Sequence, residues 1–381
     1  MNIPLNVQKL MNYERNLDNN LYRNGLIKWK PRSSKLGVKY KDFSPEVGKW
    51  FKVKSYWLPL EAVTYFQDIS TLNSYFIKEK KILFLIHPIM TYDFQGIEEG
   101  PIFNALATSS IRTVLVYPEN NIELLFFAKL SLFKDLFKRE ISIEEAQFSI
   151  TVNQLLNFCK SDLPKNFRHF PEVLSVYSKF SGMIIREIPK ELLKCEVEII
   201  PMFSLYIPQR DGTILISEMI KKQNISVLMW IRKYIICPFV KESLHLYIKN
   251  GIMFESHAQN LLLEIIDGNA TGIFYHRDMD GSNFEIKNKI KYPENITSYY
   301  ENTLYADLEQ SPHDYLLIIL FAISLIKDLN VSYKDLFTIF KEELEKELLY
   351  YNTTKYDINE KNVFPVIKKE RELYIQKFSI L

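Results

Sequence analysis

Two apolar runs, Asn260 to Ile266 and Gly272 to Tyr275, flank the turn Asp267-Gly268-Asn269. Asp-Gly supplies the positive φ angles of a tight turn, so the pair reads as a β-hairpin. The surrounding segment, Gly251 to Gly281, holds four of the 11 glycines in a chain of 381 residues: Gly251, Gly268, Gly272 and Gly281. Glycine is scarce elsewhere, against a usual ~7%. A hairpin brings the outer ends of its strands together. Glu255, His257, Gln259 and Asn260 are therefore expected beside Arg277, Asp278 and Asp280.

The first half reads as mixed sheet. Lys81 to His87 and Ile111 to Tyr117 are apolar or β-branched runs, each stopped by a proline. Leu124 to Phe127 is expected to pair with the second across the turn Pro118 to Asn121. Residues 143–160 predict a helix, and Met183 to Ile188 and Val197 to Ile200 short strands. Residues 1–30 are polar with a weak helical pattern, 31–48 are loop-like and basic, and 52–63 are partly extended. In the second half, 213–250 predict two helical segments, and the chain after Gly281 is mainly helical. The run 341–349 (KEELEKELL) reads as a solvated helix face. The fold class is α+β, with halves 1–200 and 201–381 and a soft boundary near 190–215.

Several classes fall away. Lys plus Arg is 48 and Asp plus Glu 46, a net charge of +2, which argues against nucleic acid or anionic lipid as partner. Cys159, Cys195 and Cys237 form no C-x-x-C and read as core, without a disulfide scaffold. The N-terminus lacks the apolar stretch of a secretory signal. The longest apolar run, Tyr315 to Ile326, is shorter than the ~20 residues of a membrane span. A cytoplasmic protein is expected.

No P-loop, G-x-G-x-x-G, H-E-x-x-H or G-x-S-x-G motif is present. Glu255, Asn260 and Asp278 can supply the hard oxygens Mg²⁺ prefers, alongside phosphates and water. His257 and Arg277 can then face phosphate or developing negative charge. A polar surface loop is the competing reading. A second cluster, Thr108-Ser109-Ser110-Ile111-Arg112-Thr113, offers four hydroxyls and a guanidinium, a set suited to phosphate; its plain reading is a polar strand start. Among Lys129, Lys134, Lys138 and Arg139, Lys129 lies between apolar residues and is the least surface-like. His87, at a strand end before Pro88, can line a cleft but reads more readily as structural. His169, His245 and His313 receive no role. Strand alternation turns His276 away from Arg277.

Taken in order, these segments resemble the siderophore synthetases independent of non-ribosomal peptide synthetases, the aerobactin-synthetase type. GIMFESHAQNLLLEI followed by RDMDG resembles that family's G-I/V-x-x-E-x-H-x-Q-N segment and its later Arg-Asp. Ser110-x-Arg112-Thr113 resembles its S-x-R-T element, Lys129 the lysine of its K-L-x-L, His87-Pro88 its H-P strand end, and MIIREIP (183–189) its R-E segment. The chain is shorter than usual for the family. The family's H-P-x-x-K-x-R-x-G element remains only as PRSSKLGVKYKDFSPE, where Gly37, Pro45 and Glu46 fit and Lys35 replaces an arginine. Arg139 lies ten residues beyond Lys129, about two short of the family's spacing.

The resemblance implies a cupped-hand fold of fingers and palm with a reduced N-terminal thumb. It implies an ATP- and Mg²⁺-dependent ligase that adenylates a carboxylic acid such as citrate and condenses it with an amine or alcohol. By the match, Ser110, Arg112, Thr113, Lys129 and Arg139 hold ATP phosphates, with His257 and Arg277 also in the ATP set. Glu255, Asn260 and Asp278 coordinate Mg²⁺, and His257, Arg112 and Lys129 carry the catalysis. A homodimer or a partner synthetase is compatible with it. Two alternatives stay open. His257-x-x-Asn260 with Asp278 eighteen residues later resembles the metal-holding pattern of kinase-like folds, and a shortened homologue can act as a non-catalytic partner protein.

Overall fold

The apolar runs of the first half do form strands, and nearly all of them join one sheet. A computed structural model describes residues 3–15, 40–90, 92, 94–132, 140–209, 211–284, 292–294, 296 and 312–353. The chain divides into two compact units, Met1–Asn157 with His169–Leu215, and Phe158–Arg168 with Ile216–Leu381. In chain order the first strands are β1 (Phe51–Pro59), β2 (Val63–Gln67), β3 (Ile77–Lys78), β4 (Lys81–Ile86), β5 (Glu98–Glu99), β6 (Phe103–Ala107), β7 (Thr113–Pro118) and β8 (Phe126–Leu130). They are followed by β9 (Phe167–His169), β10 (Glu172–Ser178), β11 (Gly182–Arg186) and β12 (Glu198–Pro201).

In the first unit, a ten-stranded sheet runs β2-β10-β11-β8-β7-β6-β1-β4-β3, with β5 also on β1. The ladders between β6, β7, β8, β11 and β10 are antiparallel. Strands β4 and β7 are buried on both faces, which is why they read as near-continuous apolar runs rather than alternating ones. Val114, Val116, Phe126, Ala128, Leu130, Met183 and Ile185 share one face and one core. Alternation turns Thr113, Leu115, Phe127 and Lys129 to the other face. The helix Ile143–Phe158 packs on that side, where Ser175 Oγ donates to the Ala146 carbonyl (2.6 Å). A buried ion pair in this sheet joins Arg186 to Glu172 (Nε to Oε1, 3.0 Å), and the Ser149 hydroxyl also donates to Glu172.

The N-terminal helix Leu5–Glu14 is fastened at both ends. Asn6 Nδ2 donates to the Val197 carbonyl (2.6 Å), Lys9 pairs with Glu198, and Ser204 Oγ donates to the Tyr13 carbonyl (2.9 Å).

The second unit contains β13 (Ile252–Met253), β14 (Leu261–Ile266), β15 (Asn269–His276) and β16 (Asn283–Phe284). The expected hairpin is β14–β15, with Asp267 and Gly268 at φ +51° and +72°. Gly272 (φ +81°) lies where the register shifts between Leu263 and Ile265, and a Cβ there would meet Pro238 Cγ at 3.0 Å. The segment 213–250 gives the helix Leu215–Gln223 and a longer one from Val227 to Asn250, widened into π-helical turns at Arg232–Ile236 and Leu246–Asn250. Gly251 ends it in the left-handed region (φ +71°). The helices Pro312–Ser324 and Tyr333–Thr353 follow, the latter opened by Ser332, whose Oγ accepts from the Asp335 amide (3.1 Å). Among the described residues no helix is long and apolar enough to cross a membrane.

Some expectations need correction. The third strand starts at Phe126 rather than Leu124, because Leu124 is still in the turn, donating to the Asn121 carbonyl (3.4 Å). Cys195 is exposed rather than core: it follows the single-turn helix Lys190–Leu193 with φ +59°, and Leu192 and Val197 take the buried places around it. Lys134, Lys138, Arg139 and residues 16–39 lie outside the described residues.

Candidate active site

In the first unit the sequence cluster 108–113 is the turn joining β6 to β7. Thr108 closes it twice, its amide (2.9 Å) and its hydroxyl (2.8 Å) both donating to the Thr113 carbonyl. Within it the Arg112 amide donates to the Ser110 carbonyl (2.8 Å) across Ile111, which sits at φ +65°. That is a γ-turn of positive φ, the rarer and strained form, and a β-branched residue seldom occupies it. The Ile111 side chain is held in an apolar cluster with Ile89 and Leu132. Strain of this kind persists only where the surroundings over-determine it, and it gathers at functional sites.

The turn fixes the polar residues around it. Thr113 Oγ1 donates to Ser110 Oγ (3.4 Å), Ser110 is half-buried, and Arg112 and Thr113 are buried. Thr113 and Lys129 are direct partners across β7 and β8, so their side chains share a face. Lys129 is only 1% exposed. Ser110, Arg112, Thr113 and Lys129 are thus brought together at one end of the sheet, while Arg139 falls outside the described residues. His87 lies at the end of β4, ringed by Phe43 (5.6 Å) and Phe51 (5.7 Å); its Nδ1 accepts from the Ile89 amide (3.2 Å). Burial pushes its pKa down to about 3, so the ring is neutral.

In the second unit two short ladders frame the polar segments. Ile252 and Met253 pair with Phe284 and Asn283 on one side, and Leu261 pairs with His276 on the other. Residues 254–260 and 277–282 run between the two ladders. The Arg277 amide donates to the Asn260 carbonyl (3.1 Å), and the Arg277 guanidinium grips the Gln259 carbonyl through Nε (3.0 Å) and Nη2 (2.7 Å). His257 Nδ1 accepts from the Gln259 amide (3.2 Å), leaving the proton of the neutral ring on Nε2. Asp278 takes a left-handed conformation (φ +74°) and its carbonyl accepts from the Gly281 amide (3.1 Å). Gly281 lies so close to Glu255 that a Cβ there would collide with Oε2.

The segments that carry Glu255, His257 and Asn260 and those that carry Arg277 and Asp278 therefore come together at one end of the hairpin, as its pairing predicts. Asn260 is buried, and its Nδ2 has no partner among the described residues; a buried polar group left unpaired is a group open to a ligand. His276 points away, its Nε2 2.5 Å from Glu242 Oε1. Burial holds that carboxyl well above the usual carboxylate range.

Sequence reasoning missed Tyr315. Its hydroxyl donates to Glu255 Oε1 (3.2 Å) and its ring meets His257 edge-on at 5.9 Å. The available signal was a tyrosine opening the longest apolar run, a residue whose polar tip wants a partner when its ring is buried.

The chain is similar to several known proteins. A family model described as a ferric iron reductase FhuF-like transporter matches residues 228–327, which contain the whole hairpin. A Staphylococcus aureus enzyme, the synthase of a 2-hydroxypropanoate bearing L-alanin-3-ylcarbamoyl and 2-aminoethylcarbamoyl arms, is 32% identical over 104 residues, covering 27% of this chain and 16% of its own. Among solved structures, the petrobactin biosynthesis protein AsbB of Bacillus anthracis superposes with a TM-score of 0.64 at 17% identity, covering 82% of this chain and 63% of that one. Aerobactin synthetase IucC of Klebsiella pneumoniae gives 0.62 at 15% identity, with 91% and 76% covered. ATP-bound aerobactin synthetase IucA of the same species gives 0.61 at 14%, with 81% and 64% covered.

The chain has the α+β fold of these synthetases. At 14–17% identity these structures share the fold of this chain, and two of them are aerobactin synthetases, the type that the hairpin motifs resemble. The chain spans 16% of the curated relative's length and 63% of AsbB's.

Proposed function

We propose that this chain is an ATP-dependent ligase that adenylates a polycarboxylic acid and passes the acyl group to an amine or alcohol, in siderophore or related metabolite synthesis. The observation that carries this reading is the convergence of Glu255, His257, Asn260, Arg277 and Asp278 between two ladders. The fold shared with ATP-bound IucA supports ATP as the second substrate. The product of the staphylococcal relative supports the acid class: a 2-hydroxypropanoate with two carbamoyl arms is a hydroxy-tricarboxylate amidated twice.

The donor set suits Mg²⁺ in a particular way. Among the described residues no three His, Cys, Asp or Glu side chains gather as they would around a fully protein-held metal. Two carboxylates and an amide oxygen fit an ion that takes its remaining ligands from phosphate and water. Glu255, Asn260 and Asp278 would hold it, and it would neutralise charge on the phosphates.

The chain's own residues do the rest. The substrate carboxylate attacks the α-phosphorus of ATP, the bond to pyrophosphate breaks, and an acyl-adenylate forms. The amine or alcohol then attacks the acyl carbon, loses its proton, and AMP leaves. Two anions must meet in the first step, so cationic and hydrogen-bonding groups must offset their repulsion. Arg112 and Lys129, with the Ser110 and Thr113 hydroxyls, supply them in the first unit. His257 donates from Nε2 to phosphate or to the adenylated carboxylate, while the Gln259 amide fixes its tautomer.

A product assay tests this. Purified protein with ATP, Mg²⁺, a panel of polycarboxylic acids and hydroxylamine should release AMP and pyrophosphate only when the right acid is present. ADP and phosphate as products would instead mark a phosphotransferase, and no turnover with ATP binding intact a non-catalytic partner protein.

A further inference from the structure

We infer that Glu14, on the N-terminal helix, is a positioning residue that clamps the Ser110-Arg112-Thr113 turn in its strained shape. The inference rests on the reading of that turn as a phosphate-binding element. Glu14 is fully buried (0% exposed), and its Oε2 accepts from the Ser109 amide at 2.9 Å, across 95 residues of sequence. Ser109 is itself fully buried, and its hydroxyl has no partner among the described residues. Ser109 is therefore held through its backbone. The γ-turn starts at the next residue.

Two anchors thus bracket the strain. Ile111 is pinned by its side chain among Ile89 and Leu132, and Ser109 by a buried carboxylate. A dry site makes such a hydrogen bond stronger than it would be in water. The helix end does not drift: the next residue, Arg15, lies against Gly48, where a Cβ would come within 2.6 Å of its Cζ. Farther up the helix, Asn6 and Lys9 tie it to Val197 and Glu198. The helix thereby transmits a fixed position to a turn that would relax if left alone.

The test compares Mg²⁺–ATP binding and amide exchange in wild type, Glu14→Met, Glu14→Gln, Lys9→Ala and Arg112→Ala. Glu14→Met keeps the bulk and removes the acceptor. It should weaken ATP binding about tenfold, the equivalent of ~1.4 kcal/mol, and speed exchange of the peptide over residues 107–113. Glu14→Gln keeps an acceptor oxygen and should restore most of both. Lys9→Ala removes a part-exposed ion pair while Asn6 and the Ser204 hydroxyl still hold the helix, and should leave ATP binding unchanged. If Arg112→Ala weakens binding and Glu14→Met does not, the clamp is wrong. If Arg112→Ala has no effect either, the nucleotide reading has failed, and the exchange data alone decide the clamp. Should Glu14→Met not fold, wild type still decides: fast exchange at the Ser109 amide would overturn the clamp, and exchange as slow as in β7 would support it.

Discussion

The Arg277 amide donates to the Asn260 carbonyl one step beyond the Leu261–His276 pair, so the last rung of the hairpin ladder lies inside the candidate site. The guanidinium of the same residue closes on the Gln259 carbonyl with two donors. Position 277 is therefore a structural clasp as well as a cation. Arg277→Lys keeps the charge but loses the planar fork. The variant should melt earlier, by about 1–3 kcal/mol, with weaker Mg²⁺–ATP binding. Thermal denaturation alongside titration calorimetry reads both, and an unchanged melt would remove the clasp.

Gly281→Ala tests Glu255 without touching it. The new methyl group would strike Glu255 Oε2, at the end of a mobile side chain, so the fold should tolerate it and the carboxylate should shift. The expected result is a several-fold higher Mg²⁺ requirement for turnover at near-normal stability. A variant with normal Mg²⁺ dependence would show that the position of Glu255 does not govern the metal.

Lys129→Met separates charge from packing. Lys129 is 1% exposed on a central strand opposite Thr113. Methionine fills similar volume, and replacing a buried charge with a well-packed apolar group is often neutral or stabilising. ATP affinity should fall by about 10- to 100-fold, the loss of a buried charge-assisted contact worth ~1.5–3 kcal/mol, while the melting temperature holds or rises. Unchanged affinity in a folded variant would remove Lys129 from the phosphate site.

The hairpin end was legible in the sequence because everything that makes it is local. Asp267-Gly268 sets the turn, the runs on either side set the strands, and pairing then brings Asn260 to Arg277. The 108–113 turn was legible only in composition. No glycine marks its positive φ, and Ile111 by propensity belongs in a strand; the burial of its side chain among Ile89 and Leu132 overrides that preference. Glu14 gave no signal at all, since its partner Ser109 is 95 residues away. The strand β6, Phe103–Ala107, escaped for a similar reason: a short run with two alanines becomes a strand through its neighbours β1 and β7.

Two buried histidines give each unit its own acid sensitivity. Burial lowers His87 to about 3 and His313 to about 4, from an ordinary 6.5. Both are neutral in the folded state at pH 7, and the unfolded chain takes up the protons first. Stability is therefore full above pH 6.5 and falls with acidification at about 1.4 kcal/mol per pH unit for each group. The loss continues to about pH 3 for His87 and about pH 4 for His313. Denaturant melts at pH 7 and pH 5 on wild type, His87→Met and His313→Met should show the slope reduced in each variant. An identical slope in all three would assign the acid loss to other groups.

The central claim is that a carboxylate attacks the α-phosphorus of ATP. The most direct measurement supplies the substrate acid labelled with ¹⁸O in its carboxyl groups, lets the reaction run to product, and weighs the released AMP. Adenylation places one labelled oxygen in AMP, because the acyl–oxygen bond is the one that breaks when the amine or alcohol displaces it. Label in inorganic phosphate, with unlabelled nucleotide, would show attack at the γ-phosphorus and contradict the claim.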